Sequence, residues 1–206
     1  MKKYELTTNT KMWYGRKLYQ IKALKDFGNV KAGDLGGYIE KEENLSQDGN
    51  AWVYDSALVY DNACVFSNAR ILGNAKVYGY AQIFSNALIY DNTRVYNDAW
   101  IYGNARVFGD VGVFGNACVY DNAWIYRDAQ ISNNADYIYF KGFGSENRNT
   151  TMFKTKNRDV YVSCGCFTGS LRAFMDKVKE THGNTKYAKE YLACIEVAKI
   201  HFEIDE

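Results

Sequence analysis

Between Gly49 and Ser132 the apolar positions recur on a beat of six. Fourteen hexads run head to tail without an insertion: GNAWVY, DSALVY, DNACVF, SNARIL, GNAKVY, GYAQIF, SNALIY, DNTRVY, NDAWIY, GNARVF, GDVGVF, GNACVY, DNAWIY and RDAQIS. The fifth position is Val or Ile in all fourteen, the sixth is Phe or Tyr in twelve, and the third is Ala in twelve, with Thr93 and Val111 as exceptions. Nine second positions are Asn and three are Asp. Six is a multiple of the strand period of two, whereas a helical period would scatter the Val and Ile around a circumference. The pattern therefore predicts short strands whose third and fifth side chains share one face while the fourth and sixth point the other way. Gly or Asp followed by Asn predicts a corner, because Gly and Asn tolerate the left-handed backbone of a tight turn. Links of equal, short length exclude hairpins and leave a coil.

On these hexads the chain resembles the hexapeptide-repeat superfamily. The resemblance implies an all-β solenoid, a left-handed parallel β-helix of about five 18-residue rungs over residues 49–138. Ala and Val or Ile would fill a narrow interior, and rungs would stack about 4.8 Å apart through backbone hydrogen bonds. Corner Asn side chains would bond from rung to rung. The absence of Pro fits, since Pro removes a ladder donor.

The flanks lack the beat. Residues 1–28 are expected as an N-terminal β cap, with strands at Tyr4 to Leu6 and in LYQIKAL, and residues 29–48 as an irregular first rung. Residues 139–158 read as a polar, Gly-containing connector. Residues 159–206 read as a C-terminal β-α-α unit: DVYVSCGCF as a strand, then a helix capped by Ser170, with Leu171, Phe174, Met175 and Val178 on one face and Gly183 at its end. A second helix carries Tyr187, Tyr191, Cys194, Ile195, Ala198 and Phe202 on its apolar stripe.

Taken in steps of 18, the outward positions form three faces. The first carries Trp52, Arg70, Arg106 and Trp124 with Tyr90; the second carries Lys76 and Arg94 with Tyr78 and Tyr96. Rings that stack on bases, interleaved with guanidinium groups that fork onto phosphate, suit a nucleotide-like ligand. Long cations lying across rings to keep the face soluble are the plainer alternative. The third face, with Phe66, Phe84, Trp100, Tyr102 and Tyr120, has no charge over four rungs and is expected to associate with further copies. The resemblance favours a trimer. Stacking within the chain is the other account of these rings.

Composition removes several classes. A net charge of +1 gives no field for bulk nucleic acid or an acidic membrane. No window approaches the roughly 20 apolar residues of a membrane span, so a cytoplasmic protein is expected. Five cysteines do not resemble a disulfide framework. Cys164 and Cys166 on one side of a strand would offer two thiols, but Cys194, His182 and His201 stand at no recognisable zinc spacing, so no metal or cofactor is expected.

Many hexapeptide-repeat proteins are acyltransferases or nucleotide-sugar enzymes, and the acyltransferases use a His as general base. Here the two histidines, His182 and His201, lie outside the hexads, and no loop interrupts them. The segments ALKDFGNVKAGDLGGYIEKEENLS and YVSCGCFTGSLRAF further resemble hexapeptide-repeat proteins of bacteriophages and prophages. The expectation is thus a non-catalytic oligomeric binding solenoid, a phage accessory that sequesters a nucleotide-like immune signal or blocks a host protein. An acyl- or nucleotidyl-transferase and a virion module are the alternatives.

Overall fold

The computed structural model describes residues 2–204. The chain opens with a hairpin, β1 (Tyr4–Trp13) and β2 (Arg16–Ala23), followed by β3 (Leu35–Ile39). Fourteen two-residue strands follow, one per hexad, from β4 (Trp52–Val53) to β17 (Gln130–Ile131). Leu58 pairs in parallel with Lys76, Lys76 with Arg94, Arg94 with Gly112 and Gly112 with Gln130, a constant step of eighteen residues. Three hexads therefore make one rung, and the coil is a parallel β-solenoid bounded by three sheets. Ala and Val or Ile at the third and fifth positions are buried, including Ala51, Val53, Ala87 and Ile89 at 0% exposure. Thr93 is tolerated inside because its hydroxyl donates to the Tyr90 carbonyl at 2.8 Å.

The corners divide their labour differently from the expectation. The left-handed residue is the first of the pair, even when it is not Gly, as at Asp61 (φ 59°), Ser85 (58°) and Asp91 (59°). Several of these side chains also accept from the amide one rung on, Asp55 from Gly73 at 3.0 Å and Asp91 from Gly109 at 3.1 Å. The Asn that follows contributes its side chain. One unbroken row, Asn50, Asn68, Asn86, Asn104 and Asn122, is bonded at 3.0, 3.1, 3.1 and 3.2 Å.

The N-terminal hairpin extends one of the sheets. β1 pairs antiparallel with β2, β2 with β3, and β3 joins Leu58–Val59 in parallel, giving eight strands. The first rung is longer than the rest, since Tyr38 pairs with Leu58 and Leu45 with Val65, twenty residues on in each case. Asn44 absorbs the difference from a fully buried position. Its carbonyl accepts from the Glu40 and Lys41 amides, and its NH2 donates to the Asp61 and Ala63 carbonyls. Gly36 lets β3 pass close to the coil: a Cβ there would lie 2.6 Å from Ile21 and 2.8 Å from the Trp52 ring.

The C-terminal flank departs from the sequence expectation. Residues 139–158 are mostly strand: β18 (Tyr137–Phe143) and β19 (Arg148–Lys154) form a sheet with β20 (Val160–Cys164) and β21 (Phe167–Ser170), covered by α1 (Leu171–His182) and α2 (Lys186–Phe202). In the polar run Asn149-Thr150-Thr151 the Thr151 hydroxyl meets the coil's open end, accepting from the Trp124 amide at 3.2 Å. Tyr126 donates to the Val162 carbonyl at 3.2 Å, Tyr137 to the Cys118 carbonyl at 2.7 Å, and Phe153 meets Tyr126 edge-on. Ser170 caps α1 through the Ala173 amide as expected, and Leu171, Phe174 and Val178 are buried. No helix among the described residues is long and apolar enough to cross a membrane.

Burial at the other cap makes a prediction. Lys3 is 1% exposed, donates to the Ala51 carbonyl at 2.9 Å and lies over the Phe27 ring. Burial pushes its pKa down to about 8, below the roughly 10.4 of an unfolded lysine. Between those values the unfolded chain binds more protons, so stability rises with pH. Tyr4 and Tyr137, whose pKa values burial raises, act in the opposite sense above about pH 10. Relative to Lys3→Met, the native chain should gain about 1 to 2 kcal/mol from pH 7.5 to 9.5 in denaturant titrations, the buried Cys194 thiol pulling both profiles the other way over that interval. Parallel profiles for the two chains would show that Lys3 is not the group responsible.

Candidate functional site

The fourth hexad position faces outward and is free of the interior's size limit, so it carries the variable chemistry. On the first face it holds Trp52, Arg70, Leu88, Arg106 and Trp124 in register. Arg70 and Arg106 are exposed, and the Arg106 guanidinium lies 4.9 Å from the Trp124 ring centroid. Between this column and the Asn86–Asn104–Asn122 row runs a shallow groove of about 250 Å³. Its lining has no carboxylate, and among the described residues neither arginine forms an ion pair. Asn122 and Trp124 also line a second hollow of about 340 Å³, where the coil meets Arg148 and Thr151 of the C-terminal cap.

Two first-face nominations are placed elsewhere. Trp52 is 1% exposed and sits edge-on between Tyr4 and Phe27, because the N-terminal cap closes over the first rung. Tyr90 stands in the adjoining stack with Phe108 and Tyr126, at 4.7 and 5.3 Å, and does not line the groove.

The second face is divided by the hairpin. Trp13 packs with Tyr38 and Tyr78 around Leu18, Leu58 and Tyr60, and Lys76 Nζ lies 5.3 Å from its ring centroid. Arg16 ties this tip to the coil through Glu40 and Asp61. Burial, with Arg94 and Lys11 nearby, lowers the Lys76 pKa. Lys76 and Tyr78 are thus engaged in packing a cap that sequence reasoning placed at the end of the coil. Arg94 remains exposed, while Tyr96 is stacked between Tyr78 and Phe114 at 5.0 and 5.1 Å.

On the third face Phe66, Phe84, Tyr102 and Tyr120 form an intramolecular stack at 4.9, 4.9 and 5.4 Å. Each such pair contributes about 0.5–1.5 kcal/mol beyond its burial. Trp100 meets Phe84 edge-on and, with Tyr120, keeps about 40% of its surface exposed.

The cysteines are also rearranged. Cys164 ends β20, Cys166 lies in the turn to β21, and they do not share a strand face: Cys164 is buried and Cys166 exposed. Cys164 receives the Thr150 hydroxyl at 3.1 Å, and burial pushes the Cys194 thiol up to about 11. His201 is 3.0 Å from the Ala135 carbonyl. No group of three or more His, Cys, Asp and Glu gathers to hold a metal among the described residues.

Sequence reasoning missed the groove's Asn wall and Arg148. The wall was within reach, since the 18-residue step from Asn50 passes through Asn86, Asn104 and Asn122. Arg148 carries no such signal because the beat has stopped.

The repeat is matched by the family model of the YdcK beta-solenoid repeat over residues 99–113. A stretch of 38 residues is 53% identical to a protein of Escherichia coli (strain K12) named "Uncharacterized acetyltransferase YdcK", which covers 18% of this chain and 12% of that protein. The likeness is thus one of the repeat, and the coil is a hexapeptide-repeat β-solenoid.

The thiols give this layout a direct check. Iodoacetamide at pH 8 should label Cys166 first, half-exposed Cys64 and Cys118 next, and Cys194 about a hundredfold more slowly than an ordinary exposed thiol. Peptide mass mapping reads the order, and equal rates for Cys166 and Cys194 in the folded chain would contradict it.

Proposed function

We propose that this hexapeptide-repeat solenoid is a non-catalytic binding protein whose first-face groove takes a nucleotide-like anion. The observation that carries the reading is the carboxylate-free groove in which Arg106 stacks on Trp124, with Arg70 exposed two rungs away. Trp124, 37% exposed, offers a face for a base, and the guanidinium groups offer forked donors for phosphate. The Asn wall supplies amide groups along the opposite side, though its NH2 groups are partly spent within their own row. In a cell such binding would hold a nucleotide signal away from its receptor, the role expected from the likeness to phage-encoded chains. The open edge of the third face, at Trp100 and Tyr120, is the surface we assign to association of copies.

The name of the Escherichia coli relative, an acetyltransferase, favours a second reading, acyl transfer. Against it, the coil holds no His to act as general base.

Titration calorimetry with ADP-ribose, cyclic dinucleotides and ATP, set against their nucleosides and inorganic phosphate, tests the reading. A nucleotide should bind, and Arg106→Ala and Trp124→Ala should each weaken it about tenfold, whereas Trp124→Phe keeps most of the affinity. Binding should fall with salt, as a rim of exposed arginines requires. Silence across the panel, or affinity indifferent to Trp124, would remove the proposal. Turnover of an acyl thioester would establish the second reading instead.

A further inference from the structure

The C-terminal cap contains a cleft that the groove reading does not use. It has a volume of about 340 Å³ and lies between the β20–β21 turn, the β18–β19 connection and α1. Its buried side is apolar and aromatic: Phe174, Val178 and Tyr191, with Phe167 half-buried beside them. These rings hold one another, Phe174 meeting Phe167 at 5.1 Å and Tyr191 at 5.6 Å, while Tyr191 donates to the Phe143 carbonyl and stacks on His182. The wall is therefore fixed.

Arg148 and Lys177 stand at its open edge beside one carboxylate, Glu146, and Lys177 is paired with Glu180 at 3.0 Å. Arg148 is the best placed. The guanidinium donates to Cys166 Sγ at 3.8 Å and forms no ion pair among the described residues, so most of its five N–H donors are left for a ligand. A bare residue seats it: a Cβ on Gly165 would lie 2.7 Å from Arg148 Cδ and closer still to Nη1. Gly165 also has φ +59°, where a side chain is strained.

We infer that this cleft binds a small organic acid with an aromatic or branched apolar body. Arg148 forks its carboxylate, and the body packs on Phe167, Phe174 and Val178. The size agrees, since a closed apolar cavity of about 150 Å³ accommodates benzene, and this cleft is about twice that and open on one side. A bidentate Arg–carboxylate pair on a partly desolvated edge supplies the orientation. Cys166, against Arg148, is covered when the acid is bound.

The probes are benzoate, phenylacetate and 3-methylbutyrate, each set against its neutral amide, in ligand-observed NMR on the full chain. The acids should bind about tenfold or more tightly than the amides. Arg148→Gln should abolish that preference, and Gly165→Ala, which displaces Arg148 without changing its charge, should reduce it. Arg106→Ala, in the solenoid groove, should leave it intact, so failure here and failure of the groove reading are separable. Saturating acid should slow alkylation of Cys166 while leaving Cys64 and Cys118 unchanged. Circular dichroism and melting confirm that the variants fold, and if Arg148→Gln does not, the acid-to-amide ratio of the native chain decides. Equal binding of acid and amide, no binding in the millimolar range, or an unprotected Cys166 would each overturn the inference.

Discussion

Every rung of the coil is held by backbone hydrogen bonds from an amide to a carbonyl seventeen residues on: Trp52 to Ala69, Leu58 to Ala75, Asn62 to Gly79, Arg106 to Ala123. A ladder of that kind tolerates no slip, because one residue more or less in any rung would turn each inward Ala and Val to the outside. It explains why fourteen hexads pass without an insertion and why Pro is absent. It also fixes what the interior can hold. With rungs about 4.8 Å apart, a side chain inside meets its copy in the next rung, and the register is filled by Ala beside Val or Ile. The interior therefore stores no chemistry, and variety is pushed to the outward positions. The same ladder leaves unpaired donors and acceptors at both ends, a liability that any solenoid has to cover.

The two covers answer this in different ways. At the start, β3 continues the parallel ladder and hands it to an antiparallel hairpin, with Asn44 satisfying four backbone groups where the first rung is two residues too long. At the finish, Thr151 and Tyr126 tie the last rung to a separate antiparallel sheet whose own core faces α1 and α2. The first cover uses up surface that would otherwise be available: Trp52 disappears under Tyr4 and Phe27, and Lys76 lies against Trp13.

This difference decides what could be read from the sequence. The coil was legible because its constraint is local and repeated, so Val or Ile at every fifth position carries the same message fourteen times. The amphipathic helices were legible for a similar reason, as Ser170 and the Leu171, Phe174, Val178 face show. The seating of the caps on the coil was not, because it depends on single contacts between residues far apart. Nothing in ENRNTTMF announces that Thr151 will bond Trp124, or that Arg148 will lie on Gly165. Trp52 and Trp124 occupy the same hexad position on the same face, and only distant segments make one a core residue and the other part of a groove.

The groups that survive on the outside bear on the choice between binding and catalysis. The groove's members are Asn, Arg, Leu and Trp, none of which changes protonation near neutral pH, and the neighbouring Tyr90 has its pKa raised by burial. Such a surface offers fixed donors and a stacking face, which is what recognition of an anion requires, but it has no group poised to take and return a proton. The two histidines, His182 and His201, lie on the helices of the cap, away from the groove. The repeated part supplies stiffness and an outward row of fixed donors, and the part that escapes the repeat covers its open ends.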